Sequence, residues 1–318
     1  MDPAGAVESE TGPRVNRRRA LAWMAGTAAT VVGAGALGTE LVSRGVLPGQ
    51  QVLRQLEGAC AVSVPKAVFS GLGPAFSGRF ASQARRRTVG YTIAYPPGHG
   101  PGSNLPLVVA LHGFGANHGD VLSGMSLAQA LALRVDGAPL RPMALVAADG
   151  GGGYWHAHRG DDPMAMVVEE LIPRCRERGL GLAPQPIGIM GVSMGGYGAL
   201  LMAEKHPELF VAVAAISPAV WTSYGEARGA NAGAYSSASD FAANDVVSHA
   251  QALHRTPVRV ASGLSDPFHP GVVALVKVLA PGAVIDLSPG CHSGPFFRSQ
   301  EPASFSFLSR HLAPSTVF

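Results

Sequence analysis

The sequence has few charged residues and few cysteines, and each shortage excludes certain classes of function. Charged residues make up 14% of the 318 positions, and the formal net charge is only +3. The chain carries no basic stripe with interleaved aromatic residues, so a nucleic-acid partner is not expected. Hydrophobic residues reach 47%, which argues against disorder over most of the length and favours a sizeable core.

The three cysteines, Cys60, Cys175 and Cys291, form no C-x-x-C pair. A zinc site or a thioredoxin-like redox motif is therefore not supported. If the chain is exported, one disulfide can form, and Cys60–Cys291 is then the preferred pair because Cys175 lies in a helical pattern. Three buried thiols are the alternative that the sequence leaves open.

The N-terminal segment has the layout of an export signal. Residues 17–19 are arginines, and an uncharged run follows over residues 20–39. Arginines before an apolar run are typical of such signals, and a paired arginine followed by x-Leu resembles the twin-arginine type. The run is also long enough to span a bilayer. Residues 1–45 are thus predicted to be a signal peptide or a membrane anchor, which makes the protein exported and either secreted or attached to the cell envelope.

The rest of the chain is predicted to be a connecting segment followed by one catalytic domain. Prolines and glycines break residues 46–85 into a linker or covering segment, whereas strands and helices alternate over residues 86–318. Strands are predicted at residues 88–95, 105–111, 143–148, 187–190, 211–216, 258–261 and 283–287. Helices are predicted at residues 164–178, 196–206, 271–279 and 303–311. This order predicts an α/β fold, with a mostly parallel sheet, helices on both faces and the working site at the carboxyl ends of the strands.

The strongest motif is G-x-S-x-G over residues 191–195, with Ser193 at its centre. It stands between a predicted strand and a predicted helix, which is the context that a nucleophile elbow requires. Flanking glycines permit the sharp turn, and the amides at the start of the new helix favour developing negative charge. Ser193 is therefore predicted to be a nucleophile, although a glycine-rich turn with an incidental serine has the same pattern.

A serine nucleophile needs a base and an orienting carboxylate. In α/β folds that carry a nucleophile elbow, both residues follow the serine in the chain, the acid first and the histidine second. Asp266 and His292 are the preferred pair, because each lies in a loop directly after a predicted strand. His269 remains a rival base in a strand-end loop. The competing acids are Asp240, Asp245 and Asp286.

The H-G-x-G turn over residues 112–115 also follows a predicted strand. At this place the fold supplies one amide of an oxyanion hole, and the residue after the nucleophile supplies the other. The backbone amides of Phe114, or its neighbour, and Met194 are the predicted donors. His112 precedes the serine in the chain, and we interpret it as structural.

A glycine-rich loop over residues 150–153 leads into Tyr154 and Trp155. It follows a predicted strand, so it is expected at the mouth of the site, with Tyr154 and Trp155 as substrate contacts. The alternative is a packed loop with Trp155 in the core. The two histidines that follow, His156 and His158, are a weak signal for a metal, and no metal site is predicted.

Together these segments resemble the esterase D and antigen 85-like branch of the α/β-hydrolase superfamily. The resemblance rests on L-H-G-F-G at residues 111–115, G-V-S-M-G-G-Y-G-A-L at 191–200, S-D-P-F at 265–268 and C-H at 291–292, and it covers about residues 86–312. The layout of the chain is similar to that of exported esterases of actinobacteria. The resemblance implies acyl transfer, with the serine, acid and histidine roles at Ser193, Asp266 and His292.

The expected function is therefore a serine esterase that forms an acyl-enzyme on Ser193 and needs no cofactor. Its expected substrate is a small-molecule or lipid ester. A cell-envelope acyltransferase of the mycolyltransferase type, using the same residues, is the alternative, although an aspartate followed by Pro-Phe looks more like the esterases. A catalytically silent hydrolase fold that binds a ligand or the envelope is the third hypothesis.

Overall fold

The structure is a computed structural model that describes residues 59–64, 71–123, 127–135, 137–183 and 186–312. The predicted export segment, residues 1–45, lies outside the described residues and stays a prediction. Among the helices of the described residues, none is long and apolar enough to cross a membrane.

An eight-stranded sheet forms the centre of the fold. Its strands in chain order are β1 (Ala75–Ser82), β2 (Arg87–Ala94), β3 (Leu107–Leu111), β4 (Ala144–Ala148), β5 (Ile187–Val192), β6 (Phe210–Ile216), β7 (Val258–Gly263) and β8 (Val284–Ser288). Across the sheet they lie in the order β1-β2-β4-β3-β5-β6-β7-β8. Only β2 runs antiparallel to its neighbours, so the sheet is mostly parallel, as predicted.

The helices pack on both faces of this sheet. They are α1 (His118–Ser123), α2 (Leu127–Ala130), α3 over residues 163–176, α4 (Met194–Lys205), α5 (Tyr224–Ala230), α6 (Ala238–Ala243), α7 (His269–Val278) and α8 (Gly294–His311). A short two-stranded ribbon joins Arg134–Val135 to Ala138–Pro139.

Two hydrophobic cores result, one on each face of the sheet. Neighbouring residues of β3 alternate between them: Val109 joins the core under α4, and Val108 joins the core under α8. Both faces of β3 and β5 are completely buried, which explains their continuous apolar sequences. The central strands are therefore held rigidly, and the loops at their carboxyl ends have a fixed frame.

The predicted boundary between linker and domain is wrong. The sequence predicts a linker or covering segment over residues 46–85. In the structure, however, β1 (Ala75–Ser82) pairs along its whole length with β2 and is an edge strand of the sheet. Its sequence, AFSGRFAS, is mostly exposed, so it has no apolar run and carries a weak strand signal.

Two helices differ from their predicted forms. The last helix begins at Gly294, nine residues before the predicted start at residue 303, because Pro295 occupies its first turn, where a proline is well tolerated. The helix α3 continues past Pro173 but ends at Arg176, two residues before its predicted end, and its turn Met166–Leu171, just before the proline, widens into π geometry.

The predicted disulfide is confirmed. Cys60 is bonded to Cys291 across a sequence separation of 231 residues, and Cys175 is a buried free thiol. The bond fastens the start of the described chain to the loop between β8 and α8. That loop carries His292, the candidate base.

Candidate active site

Ser193 lies at the sharp turn between β5 and α4. Its backbone adopts φ 57° and ψ −122°, a region that non-glycine residues rarely occupy. The turn is held because the Ser193 amide donates to the Ile216 carbonyl of the neighbouring strand at 3.0 Å. The hydroxyl is thereby presented at the carboxyl edge of the sheet, as the motif predicts.

The glycines of the motif are required by close backbone contacts. A Cβ atom on Gly191 would lie 2.1 Å from the Gly195 carbonyl oxygen. A Cβ atom on Gly195 would lie 2.0 Å from the carbonyl oxygen of Leu111, at the end of β3. Any side chain at either position would push the start of α4 away from β3 and β5, so these glycines fix where Ser193 stands.

The structure brings the three candidate residues Ser193, His292 and Asp266 together in one hydrogen-bonded row. The Nε2 atom of His292 lies 2.8 Å from the Ser193 hydroxyl, and its Nδ1 atom lies 2.8 Å from the Asp266 carboxylate. A carboxylate accepts only, so Nδ1 carries the proton and Nε2 is left to accept from the serine. The row therefore has the polarity that a general base needs.

The environment of the row differs from one end to the other. Asp266 is only 1% exposed and also accepts the Phe268 amide at 2.9 Å, so its orientation is fixed. The His292 side chain is 18% exposed. A buried carboxylate behind a partly exposed imidazole is the arrangement that orients a base toward a bound reactant.

The rival residues have other roles. Asp286 pairs with Arg259 at 3.3 Å, and Asp240 accepts from the amide and the hydroxyl of Ser236. His269 begins α7, where its amide donates to the Asp266 carbonyl. His292, and not His269, is at hydrogen-bond distance from the serine.

The H-G-x-G turn lies against Ser193. A Cβ atom on Gly113 would lie 3.4 Å from the Ser193 Cβ and 4.0 Å from its hydroxyl oxygen. Met194 is the first residue of α4, where backbone amides have no acceptor within the helix. The side chain of Phe114 is 61% exposed beside this turn. Two backbone segments with amide groups therefore border the space in front of Ser193.

The predicted substrate contacts Tyr154 and Trp155 need correction. Trp155 is completely buried, and its indole fills the space left by Gly150 and Gly198, where a Cβ atom would lie within 2.2 Å and 2.6 Å of the ring. Tyr154 is buried against Tyr197 and Tyr235. Both side chains thus belong to the core, which was the alternative reading of this loop, because the neighbouring glycines admit them into it.

Aromatic rings flank His292 on two sides. Phe268 and Phe297 each lie edge-on to its imidazole, with ring centroids 5.1 Å and 5.0 Å away, and Trp221 lies edge-on to Phe268 at 4.7 Å. All three rings are partly buried. Trp221 was missed by sequence reasoning, since it stands in a loop after β6 with no motif around it.

An ion pair behind the glycine-rich loop was also missed. Arg85 is buried and donates to both carboxylate oxygens of Asp161, at 2.7 Å and 2.8 Å, and it also donates to the Asp149 carbonyl. Burial opposes ionisation of Asp161, but the hydrogen bonds and charge of Arg85, together with Arg87, lower the pKa of that carboxyl. The run of arginines at residues 85–87 was the available signal. The next residue, Asp162, caps α3.

Among the described residues, no group of three or more His, Cys, Asp or Glu side chains is arranged to hold a metal ion. His156 donates to the Ala234 carbonyl, and His158 donates to the Gly153 carbonyl, so both histidines of the weak metal signal bond to the backbone.

Comparison with known proteins supports a shared architecture. A family model described as "Putative esterase" matches residues 82–278. A ferulic acid esterase superposes with a TM-score of 0.66 at 17% identity, over 77% of this chain and 100% of that one. An S-formylglutathione hydrolase from Agrobacterium tumefaciens gives 0.61 at 17% identity, over 79% and 100%. Mycobacterium tuberculosis MPT51 gives 0.57 at 20% identity, over 77% and 99%. No curated protein matches the chain significantly.

The two kinds of match carry different conclusions. Structural neighbours at these identities establish the fold. The family match is a match of sequence, it spans more than half of the 318 residues, and it includes the turn at Ser193. The chain therefore belongs to this esterase family, and it is an ester hydrolase with the α/β-hydrolase fold.

Proposed function

We propose that this enzyme is a serine esterase that cleaves carboxylic esters through an acyl-enzyme on Ser193. The observation that carries the proposal is the continuous row from Ser193 through His292 to Asp266, with both hydrogen bonds at 2.8 Å. His292 Nε2 takes the hydroxyl proton as Ser193 Oγ attacks the ester carbonyl, and Asp266 stabilises the imidazolium that forms. The imidazolium then protonates the departing alkoxide, which leaves as the alcohol.

The second step regenerates the enzyme. A water molecule gives its proton to His292 and attacks the acyl carbon, and the acid is released as Ser193 recovers its proton. The backbone amides of Phe114 and Met194 are the proposed donors to the oxyanion in both steps. This role is supported by the closeness of the Gly113 backbone to Ser193 and by the position of Met194 at the start of α4.

Hydrolysis of p-nitrophenyl esters of increasing chain length tests the proposal. We expect turnover by the wild type and none above background by Ser193→Ala. Asp266→Asn should lose about 10⁴-fold in kcat, because the imidazole is no longer held in the useful tautomer. Ser239→Ala, at an exposed serine of α6, is the matched control and should behave as the wild type. Activity that survives in Ser193→Ala would contradict the proposal.

The acceptor is tested in the same assay. Hydrolysis and acyl transfer share the acyl-enzyme. When an alcohol such as glycerol or trehalose is added, it competes with water for this intermediate: water releases the free acid, and the alcohol forms a new ester. We expect the acid to dominate. A dominant ester product would favour the acyltransferase, and a folded wild type that turns over no ester would favour the silent binding protein.

Export is the second part of the proposal, and the cysteines support it. Disulfides persist in oxidising compartments outside the cytoplasm, and Cys60 and Cys291 are joined. Replacing Arg17, Arg18 and Arg19 by lysine should hold the protein in the cytoplasm. There, thiol alkylation and mass spectrometry should find Cys60 and Cys291 reduced. Export of the lysine variant at the wild-type level would contradict a twin-arginine route.

A further inference from the structure

His112 forms hydrogen bonds both within the H-G-x-G turn and to the loop over residues 150–155. Its Nε2 atom accepts a hydrogen bond from the Gly150 amide at 2.8 Å, and its Nδ1 atom lies 2.8 Å from the Gly113 carbonyl. Its own carbonyl accepts from the Trp155 indole at 3.2 Å. One residue therefore joins the H-G-x-G turn to the loop over residues 150–155.

These contacts fix the protonation of the ring. Because a backbone amide can only donate, Nε2 must be without a proton, and Nδ1 carries the one that is donated to the Gly113 carbonyl. The ring is 1% exposed, and burial above all lowers the pKa of His112, so the neutral form is kept. His112 cannot serve as a second base, since both of its nitrogens are occupied.

The loop that His112 contacts is itself firmly anchored. The Asp149 carboxylate accepts from the amides of His118 and Gly90, and Arg85 donates to the Asp149 carbonyl while paired with Asp161. On the other side, His112 is followed directly by Gly113, where a Cβ atom would lie 3.4 Å from the Ser193 Cβ. The bond from Gly150 to His112 is thus the link between a fixed support and the turn in front of the nucleophile.

We infer that His112 is a positioning residue, which in its neutral Nδ1-protonated form holds the Gly113–Phe114 backbone where the amide can reach the oxyanion. The inference rests on the proposed function, since it concerns the donors of the same reaction. Losing the bond lets the turn shift relative to Ser193. A displacement of about 1 Å in such a group costs on the order of 100-fold in rate.

Two substitutions at this position separate the bond from the bulk of the ring. His112→Phe keeps the aromatic contact with Trp155 but leaves the Gly150 amide without its acceptor. His112→Gln can place its side-chain oxygen near the position of Nε2 and restore an acceptor. We expect kcat to fall about 10- to 100-fold in His112→Phe, with KM changed by less than about threefold, and to recover at least in part in His112→Gln.

The control is a second buried histidine, which directly follows the loop that His112 contacts. His156 is equally buried, but it bonds to the Ala234 carbonyl, away from the H-G-x-G turn. His156→Phe should keep the wild-type kcat per active site. Trp155→Phe keeps a ring but removes the donor to the His112 carbonyl, and it provides a milder test if His112→Phe does not fold.

The measurement is kcat per active site, with the sites counted by the end-point of fluorophosphonate labelling. A purely structural role lowers the number of sites and leaves kcat per site unchanged. The inference is overturned if His112→Phe has the wild-type kcat per site, if its loss appears in KM alone, or if His112→Gln is as impaired as His112→Phe. It is also overturned, should His112→Phe fail to fold, by a wild-type kcat per site in Trp155→Phe. A wild type that turns over no ester overturns the proposed function instead.

Discussion

Glu204 shows how one residue can make stability depend on pH. It lies on the buried side of α4, is 6% exposed, and neither carboxyl oxygen has a hydrogen-bond partner. Burial, followed by the charge of Asp245, raises the pKa of Glu204 to about 9. The folded protein therefore holds a proton that the unfolded chain releases above its ordinary pKa of 4.5.

This predicts a loss of stability with rising pH. Between about pH 4.5 and 9 the unfolded state binds fewer protons than the folded state, so the free energy of unfolding falls over this window. Glu204→Gln cannot ionise, and it should melt close to the wild type near pH 4.5 but at a higher temperature at pH 8. Each kcal/mol gained raises Tm by about 3 °C for a domain of this size.

Glu177→Gln, at an exposed glutamate, is the control for this prediction, measured by thermal unfolding across the same pH values. It should leave the pH dependence of Tm unchanged. A Glu204→Gln variant whose Tm falls with pH as steeply as that of the wild type would show that Glu204 is not the group responsible.

At the scale of elements, close packing of α4 decides the shape of the site. Gly198 lies one turn after the nucleophile, and a Cβ atom there would lie 2.6 Å from the buried indole of Trp155. The helix can approach the loop over residues 150–155 only because this side chain is missing. Trp155 in turn bonds to the His112 carbonyl, so the packing of α4 and the position of the H-G-x-G turn are linked.

We predict opposite effects for two glycine-to-alanine changes in helices. Gly198→Ala should destabilise the protein by about 1–3 kcal/mol, because it overpacks a full core. Gly229→Ala, in α5, meets nothing within 4 Å and should be neutral or stabilise by up to about 1 kcal/mol. Denaturant unfolding measures both. Equal stability of the two variants would show that Trp155 is not packed as described.

The elements also show what the sequence could predict and what it could not. β3 and β5 are buried on both faces, so their apolar runs identified them within two residues. β1 was missed because pairing to β2, rather than burial, holds it in place. Ser193, Asp266 and His292 could be chosen as candidates because each follows a strand, and the structure brings them together. The orientation of Trp155 depends on the space at Gly150 and Gly198, which come from two distant segments, and no local pattern contains that information.

At the scale of the whole molecule, the disulfide between Cys60 and Cys291 is the longest covalent constraint. It closes a loop with a sequence separation of 231 residues, and a cross-link over such a distance removes much entropy from the unfolded chain. It also ends one residue before His292. The same bond therefore affects both the stability of the fold and the position of His292, the proposed base.

Removing this bond should lower both stability and activity. In the chain-entropy account the double variant Cys60→Ser/Cys291→Ser loses about 5–6 kcal/mol, or roughly 10 °C or more in Tm. Reductant should bring the wild type toward the same Tm, whereas it should leave the double variant unchanged. Calorimetry with and without reductant measures this. A wild type whose Tm is insensitive to complete reduction would contradict the prediction.

The most direct test of the central claim is the stoichiometry and site of labelling by a fluorophosphonate, read by intact mass and peptide mapping. The wild type should gain one adduct per chain, located on Ser193, and Ser193→Ala should gain none. His292→Ala should react far more slowly, because the serine has lost its base. An adduct on another residue, or no adduct on a folded wild type with Cys60 and Cys291 still joined, would contradict the assignment of Ser193 as an activated nucleophile.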